Sequence, residues 1–181
     1  SYRGLADVAV YTIAITISSM IDVPGSALSK IIIPQLSDAF KNNRHDFIKD
    51  VYYQSTRVCL LSGAFLFLLV YVNAYEFLQF LPDRYAEGEW VLKIISIGSF
   101  VNMATGMNIS ISQYSNKYLA GAFALIALAL LSALSNILLI PEFGLPGAAI
   151  GTAFSITAVN VFVFFYIKRH LKFQPFEWVD L

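Results

Sequence analysis

The length of the uncharged apolar runs constrains this chain more than any other feature. Between Tyr118 and Ile167 the one charged residue is Glu142, and between Ile94 and Asn116 there is none. A helix needs about 20 apolar residues, rising about 1.5 Å each, to cross a hydrocarbon layer roughly 30 Å thick. Runs of this kind read as membrane spans, and the composition agrees. Of 181 residues, 57% are hydrophobic and 13% charged, about half the roughly 25% charge of a soluble domain. A water-soluble enzyme and a secreted disulfide scaffold are thereby excluded. Lys+Arg and Asp+Glu are both 12, so the basic stripe of a nucleic-acid binder is absent too.

Reactive chemistry finds little to work with. The single cysteine, Cys59, lies inside an apolar run and reads as a small buried hydrophobe. His45 and His170 stand beside basic residues, and no His, Cys and carboxylate grouping has metal-ligand spacing. There is no Ser-His-Asp arrangement and no Gly-rich phosphate loop. Neither a catalytic residue, a metal nor a cofactor is expected.

The chain opens Ser1-Tyr2-Arg3 and closes with a mixed apolar and acidic stretch, Gln174 to Leu181. Both ends read as interior to a longer membrane protein. Five spans are expected, at about 8–34, 58–80, 91–112, 118–140 and 146–167, in an all-α polytopic bundle. Strand-like alternation is missing, which argues against a β-barrel. The connections carry an orientation signal. Lys41, Arg44, Lys49, Arg57, Lys117, Lys168, Arg169 and Lys172 fall on one side, against Arg3, Arg84 and Lys93 on the other. By the positive-inside rule the first set faces the cytoplasm, and with it the C-terminal end. Within the first connection Phe40, Phe47, Ile48 and Val51 recur at helical spacing among charges. This predicts an amphipathic helix over about 38–55 in the headgroup region, with Asn43 as its N-cap.

Polar residues inside spans are costly, so their placement is informative. Thr12, Thr16, Ser19, Asp22, Ser26 and Ser29 follow at steps of three or four, with Lys30 beside the last. Ser96, Ser99, Asn102, Gly106, Ser110 and Gln113 repeat the pattern in the third span. Such steps hold residues on one helical face. For the small and hydroxylated positions, close helix packing is the ordinary explanation. Asp22 and Lys30 demand more, because an ionised group at the helix centre costs at least about 2.5–3.5 kcal/mol on insertion scales. Pro24 and Gly25 between them predict a bend. Asp22, Lys30, Asn102 and Gln113 are therefore candidate cavity-lining residues. Glu76 and Lys93, near one membrane boundary, are weaker candidates that could pair with each other.

Two stretches carry a resemblance. Gly4 to Ala14, continuing through Val23-Pro24-Gly25-Ser26-Ala27-Leu28 to Ile33-Pro34-Gln35-Leu36-Ser37, resembles the opening helix of the second-half core of lipid-linked oligosaccharide flippases. These form the polysaccharide-biosynthesis branch of the multidrug/oligosaccharidyl-lipid/polysaccharide exporter superfamily. Ile140-Pro141-Glu142-Phe143-Gly144-Leu145-Pro146-Gly147-Ala148-Ala149-Ile150-Gly151 resembles that family's tight outer turn and small-residue helix start. Independently of the resemblance, Gly144 and Gly147 allow a sharp reversal, and Gly147 and Gly151 allow close helix approach.

The resemblance implies a two-lobed transporter of about a dozen helices, with a cavity between lobes that opens alternately to each side. This chain would hold most of the second lobe and lack the first. The implied cargo is a lipid-linked glycan for O-antigen, capsule or exopolysaccharide synthesis, moved to the outer leaflet of a bacterial plasma (inner) membrane. The implied partners are that glycan, membrane lipid, the missing first lobe, and a glycan polymerase or glycosyltransferases. Two other functions compete. A cation-coupled multidrug exporter of the same superfamily would want intramembrane carboxylates, of which Asp22 is the one strong example. A membrane glycan polymerase or transferase would want long extramembrane loops with clustered Arg, His or carboxylates, and the outer loops here are short.

Overall fold

Strong helix formers dominate each apolar run, and β-branched residues do not cluster into alternating patterns. In the computed structural model, which describes residues 2–82, 85, 88–114 and 118–171, the regular elements are all helical. Helix α1 spans Tyr2–Ser18 and passes through a four-residue 3-10 turn, Ser19–Asp22, into α2, Val23–Lys41. Helix α3 is His45–Val72, α4 Ala74–Gln79, α5 Glu89–Ala104, α6 Asn108–Tyr114 and α7 Tyr118–Leu171. Three stretches are long and apolar enough to cross a membrane: Asp7–Lys41, His45–Val72 and Gly121–Arg169. The α5 and α6 pair, bent by 52°, makes a fourth if it counts as one span.

The exterior fits a hydrocarbon solvent. On α3, Leu61, Phe65, Leu68 and Val72 are exposed at steps of three and four, with Leu61 at 73% and Phe65 at 67%. On α7 the exposed stripe is Phe123, Ile126, Leu130, Leu134 and Ile137. Helices α3 and α7 thus turn apolar faces outward, the reverse of a soluble protein.

Inside, α5 is central, touching α1, α3 and α7. Two apolar clusters result. One gathers Val10, Ala14 and Ile21, from the middle of α1 through the 3-10 turn, with Val91, Leu92 and Ile95 of the N-terminal half of α5. The other gathers Leu36, Ile48, Tyr52, Ile111, Val163 and Ile167 near the basic end of the molecule.

Helix α7 is folded back on itself. At Gly144 the backbone takes φ 60°, ψ −134°, outside the helical region. The Ser135 and Ser155 hydroxyls then lie 3.3 Å apart. In a straight helix, residues twenty positions apart would be separated by about 30 Å. The two halves therefore run side by side. A Cβ on Gly151 would approach Ser135 Oγ to 3.0 Å, and one on Gly147 would meet the Leu139 carbonyl oxygen at 2.3 Å. These glycines set the spacing of the hairpin.

Three local expectations are corrected. Around Pro24–Gly25 the helical path runs on from α1 to α2, and its one irregularity is the 3-10 turn just before them. Pro24 occupies the first turn of α2, where a missing N–H costs nothing. Gly25 instead permits close packing, since a Cβ there would stand 2.8 Å from Met103 Sδ.

The amphipathic segment is not one helix at about 38–55. Helix α2 runs to Lys41, Asn43 turns the chain with φ 52°, and α3 begins at His45 with Arg44, not Asn43, at the cap position. Asp38 closes this turn through Arg44 and the Asn42 amide. The apolar residues Phe40, Ile48 and Tyr52 are buried in one cluster with Met107, Ile111, Val163 and Ile167. Finally, Lys93 pairs with Glu89 at 2.5 Å, one turn back on its own helix, instead of with Glu76.

Candidate functional site

A 3-10 turn in the first span meets the break between α5 and α6. The 3-10 turn brings Asp22 to its end. At the break, α5 stops at Ala104, and Gly106 with φ 64° turns the chain into α6. A side chain at Gly106 is barred twice, by this left-handed conformation and by Thr56, whose Cα lies 2.9 Å from where a Cβ would sit.

Between the turn and the break runs a chain of polar contacts. Asn102 Nδ2 donates to Asp22 Oδ1 at 2.9 Å. Asn160 Nδ2, from the second half of α7, donates to Asn102 Oδ1 at 3.2 Å. The Thr105 hydroxyl donates to Asn160 Oδ1 at 2.9 Å, and Asn108 Nδ2 donates to the Asn160 carbonyl at 3.1 Å. An ionised carboxylate only accepts hydrogen bonds, so Asp22 sets the sense of the chain: each amide presents its NH2 toward Asp22 and its oxygen away. The network lies where the two apolar clusters meet, beside Met103 of the first and Met107 and Val159 of the second.

A cavity of about 150 Å³ opens beside this network. Asp22, Ser26, Ser29, Asn102, Gly106 and Asn108 line it. Asp22 is half-buried and has no ion-pair partner among the described residues. Irregular backbone at membrane depth is tolerated where it is buried in protein or lines a cavity, and Gly106 lines this one. The set can hold water, hydroxylated groups or a cation. Among the described residues no three His, Cys, Asp or Glu side chains come together as a metal group.

Of the four sequence candidates the structure brings two together, Asp22 and Asn102. Lys30 is exposed on α2 and lies outside the cavity. Gln113 lies outside it as well. Its backbone is pressed against Gly121, where a Cβ would stand 2.8 Å from Gln113 Cα, so it fixes α6 on α7. Sequence reasoning missed Asn160, Thr105 and Asn108. The signal for Asn160 was present, since it is the sole amide side chain within 146–167.

The hydroxyl stripes divide likewise. Ser18 and Ser96 face each other at 3.3 Å between α1 and α5, as close packing requires. Thr12, Thr16 and Ser19 are exposed, and their hydroxyls donate back to carbonyls of their own helix.

The described residues form an all-helical chain with three helices long and apolar enough to cross a membrane, and a polar cavity where the 3-10 turn of the first meets the break between α5 and α6. No protein-family model matches this chain, and neither a curated protein nor a solved structure does.

Proposed function

We propose that this chain is part of a transporter that moves lipid-linked oligosaccharide from the cytoplasmic to the outer leaflet. The observation that carries this reading is the polar cavity where the 3-10 turn meets the helix break. Amides and hydroxyls at Asn102, Asn108, Ser26 and Ser29 match the hydroxyls of a sugar, and Asp22 adds one charge-assisted acceptor. The reading takes the chain through the membrane five times, with α5 and α6 as one crossing and the α7 hairpin as two.

It also takes the exposed polar edge of the first span to face water or a further lobe, since Thr12, Thr16, Ser19, Ser26 and Lys30 suit lipid poorly. Transport involves no chemical step. In a strain lacking the gene, lipid-linked oligosaccharide should build up in the cytoplasmic leaflet, and the Asn102→Leu variant should restore transport poorly. Normal accumulation in the outer leaflet of the deletion strain would end this reading.

A second reading, a cation-coupled exporter of the same superfamily, is favoured by the Asp22 carboxylate without a cationic partner among the described residues. Efflux of organic cations driven by a proton gradient, and lost in Asp22→Asn, would favour it over the first.

A further inference from the structure

Three of the chain's four sulfur-bearing side chains meet at the central cavity. The chain has one cysteine and three methionines; Cys59, Met103 and Met107 line the cavity, while Met20 is exposed at 54%. They come from separate elements. Cys59 belongs to α3, Met103 to the last turn of α5, and Met107 lies in the break, between Gly106 and α6.

Gly25 marks where two of the sulfur atoms stand. A Cβ there would be 2.8 Å from Met103 Sδ and 3.8 Å from Cys59 Sγ, so both sulfurs lie within 4 Å of one point on the cavity wall. Met103 and Met107 are each 3% exposed and Cys59 is 1% exposed. The Cys59 thiol forms no disulfide, and its sulfur makes no hydrogen bond among the described residues. A buried thiol at a cavity, with its donor unused, is placed to act as a ligand. The two methionines suit the same role, since three rotatable bonds let each thioether swing its sulfur toward a shared centre.

Sulfur ligands select among metals. Thiolate and thioether are soft and favour copper(I), and its congener silver(I), over hard cations such as sodium, magnesium or calcium. Zinc takes four ligands drawn from Cys, His and carboxylates, and no three such side chains come together among the described residues. Charge favours the same choice. The thiol loses its proton on binding, so a monovalent ion leaves the net charge of the cavity unchanged, whereas a divalent ion adds one costly charge at membrane depth.

We propose that Cys59, Met103 and Met107 form a three-sulfur site for a soft monovalent cation, copper(I) or silver(I). On binding, the Cys59 S–H bond breaks, a sulfur–metal bond forms at the same atom, and the proton passes to water. The two thioethers donate lone pairs, and no electron is transferred. The bound ion ties α3 to the break between α5 and α6. The site goes beyond both readings of the cavity's cargo and depends on neither.

The test titrates the purified chain in micelles with silver nitrate, a redox-stable probe, in chloride-free buffer, read by calorimetry and native mass spectrometry. One silver ion should bind per chain, and neither zinc nor sodium should displace it. The apparent affinity should rise about tenfold per pH unit in the acid range, as release of one proton requires. Cys59→Ser should abolish binding. Met103→Leu and Met107→Leu keep the side-chain volume, so the fold should persist. Each should weaken binding at least about tenfold, since loss of even an outer-shell partner costs a metal site that much. X-ray absorption of the copper(I)-loaded chain should count three sulfur neighbours, and two in Met107→Leu. Absence of bound silver, affinity that survives both methionine substitutions as a lone thiol would allow, or a shell of oxygen and nitrogen would overturn the proposal.

Discussion

Replacing Asn160 by Leu tests the polar network at its hub. Asn160 is buried, and its amide serves two partners at the end of α5: it donates to Asn102 and accepts from Thr105, the residue just past the helix. Leucine fills nearly the same volume, so the cavity term is small and the loss is polar. Thr105 loses little, because its hydroxyl also donates to the Val101 and Asn102 carbonyls at 3.2 and 3.0 Å. Asn102, half-buried at the cavity wall, loses the donor to its Oδ1. An orphaned buried acceptor costs about 1–3 kcal/mol in soluble proteins. Interhelical hydrogen bonds in membranes average about 0.6 kcal/mol and reach about 1.7. The expected loss is therefore about 1–1.5 kcal/mol.

Unfolding of the purified chain in mixed micelles with a helix-sensitive readout would measure it. A double-mutant cycle with Asp22→Asn separates the network from a local packing defect. If Asn102 relays orientation between the two, the cycle should show a coupling of about 0.5 kcal/mol or more, although Asp22 and Asn160 share no direct hydrogen bond. Additivity to within about 0.3 kcal/mol would refute the relay.

Three further outcomes follow from the geometry. Gly106→Ala should lower stability by more than about 2 kcal/mol, since left-handed backbone alone costs an L-residue roughly 1–2 kcal/mol and the new Cβ meets Thr56. Thr56→Ala should relieve only part of this, because the Thr56 Cα is itself within 2.9 Å; full rescue in a thermal melt would count against the steric account. Cysteines at Ser135 and Ser155, with Cys59 replaced by alanine, should crosslink within one chain under mild oxidation. An uncrosslinked chain by mass would argue for a straight α7. Phe65→Lys should impair membrane insertion of α3 by about 2.5–3.5 kcal/mol, where an exposed site in a soluble protein would change by roughly 0.5 or less. Unimpaired insertion would mean that this face does not meet lipid.

The sequence by itself determined the solvent and the class of element. Uncharged runs long enough to span a bilayer admit helices, and the steps of three and four in 12–29 and 96–113 are enough to single out Asp22 and Asn102. Gly144 was legible as a reversal because only glycine enters that backbone region freely, and the structure makes the turn there. What periodicity cannot supply is the azimuth at which one helix meets another. It says that residues share a face, and leaves open what that face meets.

Only the tertiary structure therefore decided that Asn102 joins Asp22 to Asn160 across three elements, while Lys30, eight residues past Asp22 on α2, stays outside. The same reason accounts for the segment around 38–55. Its apolar stripe is identical whether it meets headgroups or protein, and Phe40, Ile48 and Tyr52 join a buried cluster with residues of α6 and α7. It accounts as well for the break at Gly106, where Thr56 approaches from α3, fifty residues away in sequence. Local chemistry fixed which residues are costly to bury in a membrane. The crossing of the helices fixed which of them satisfy one another.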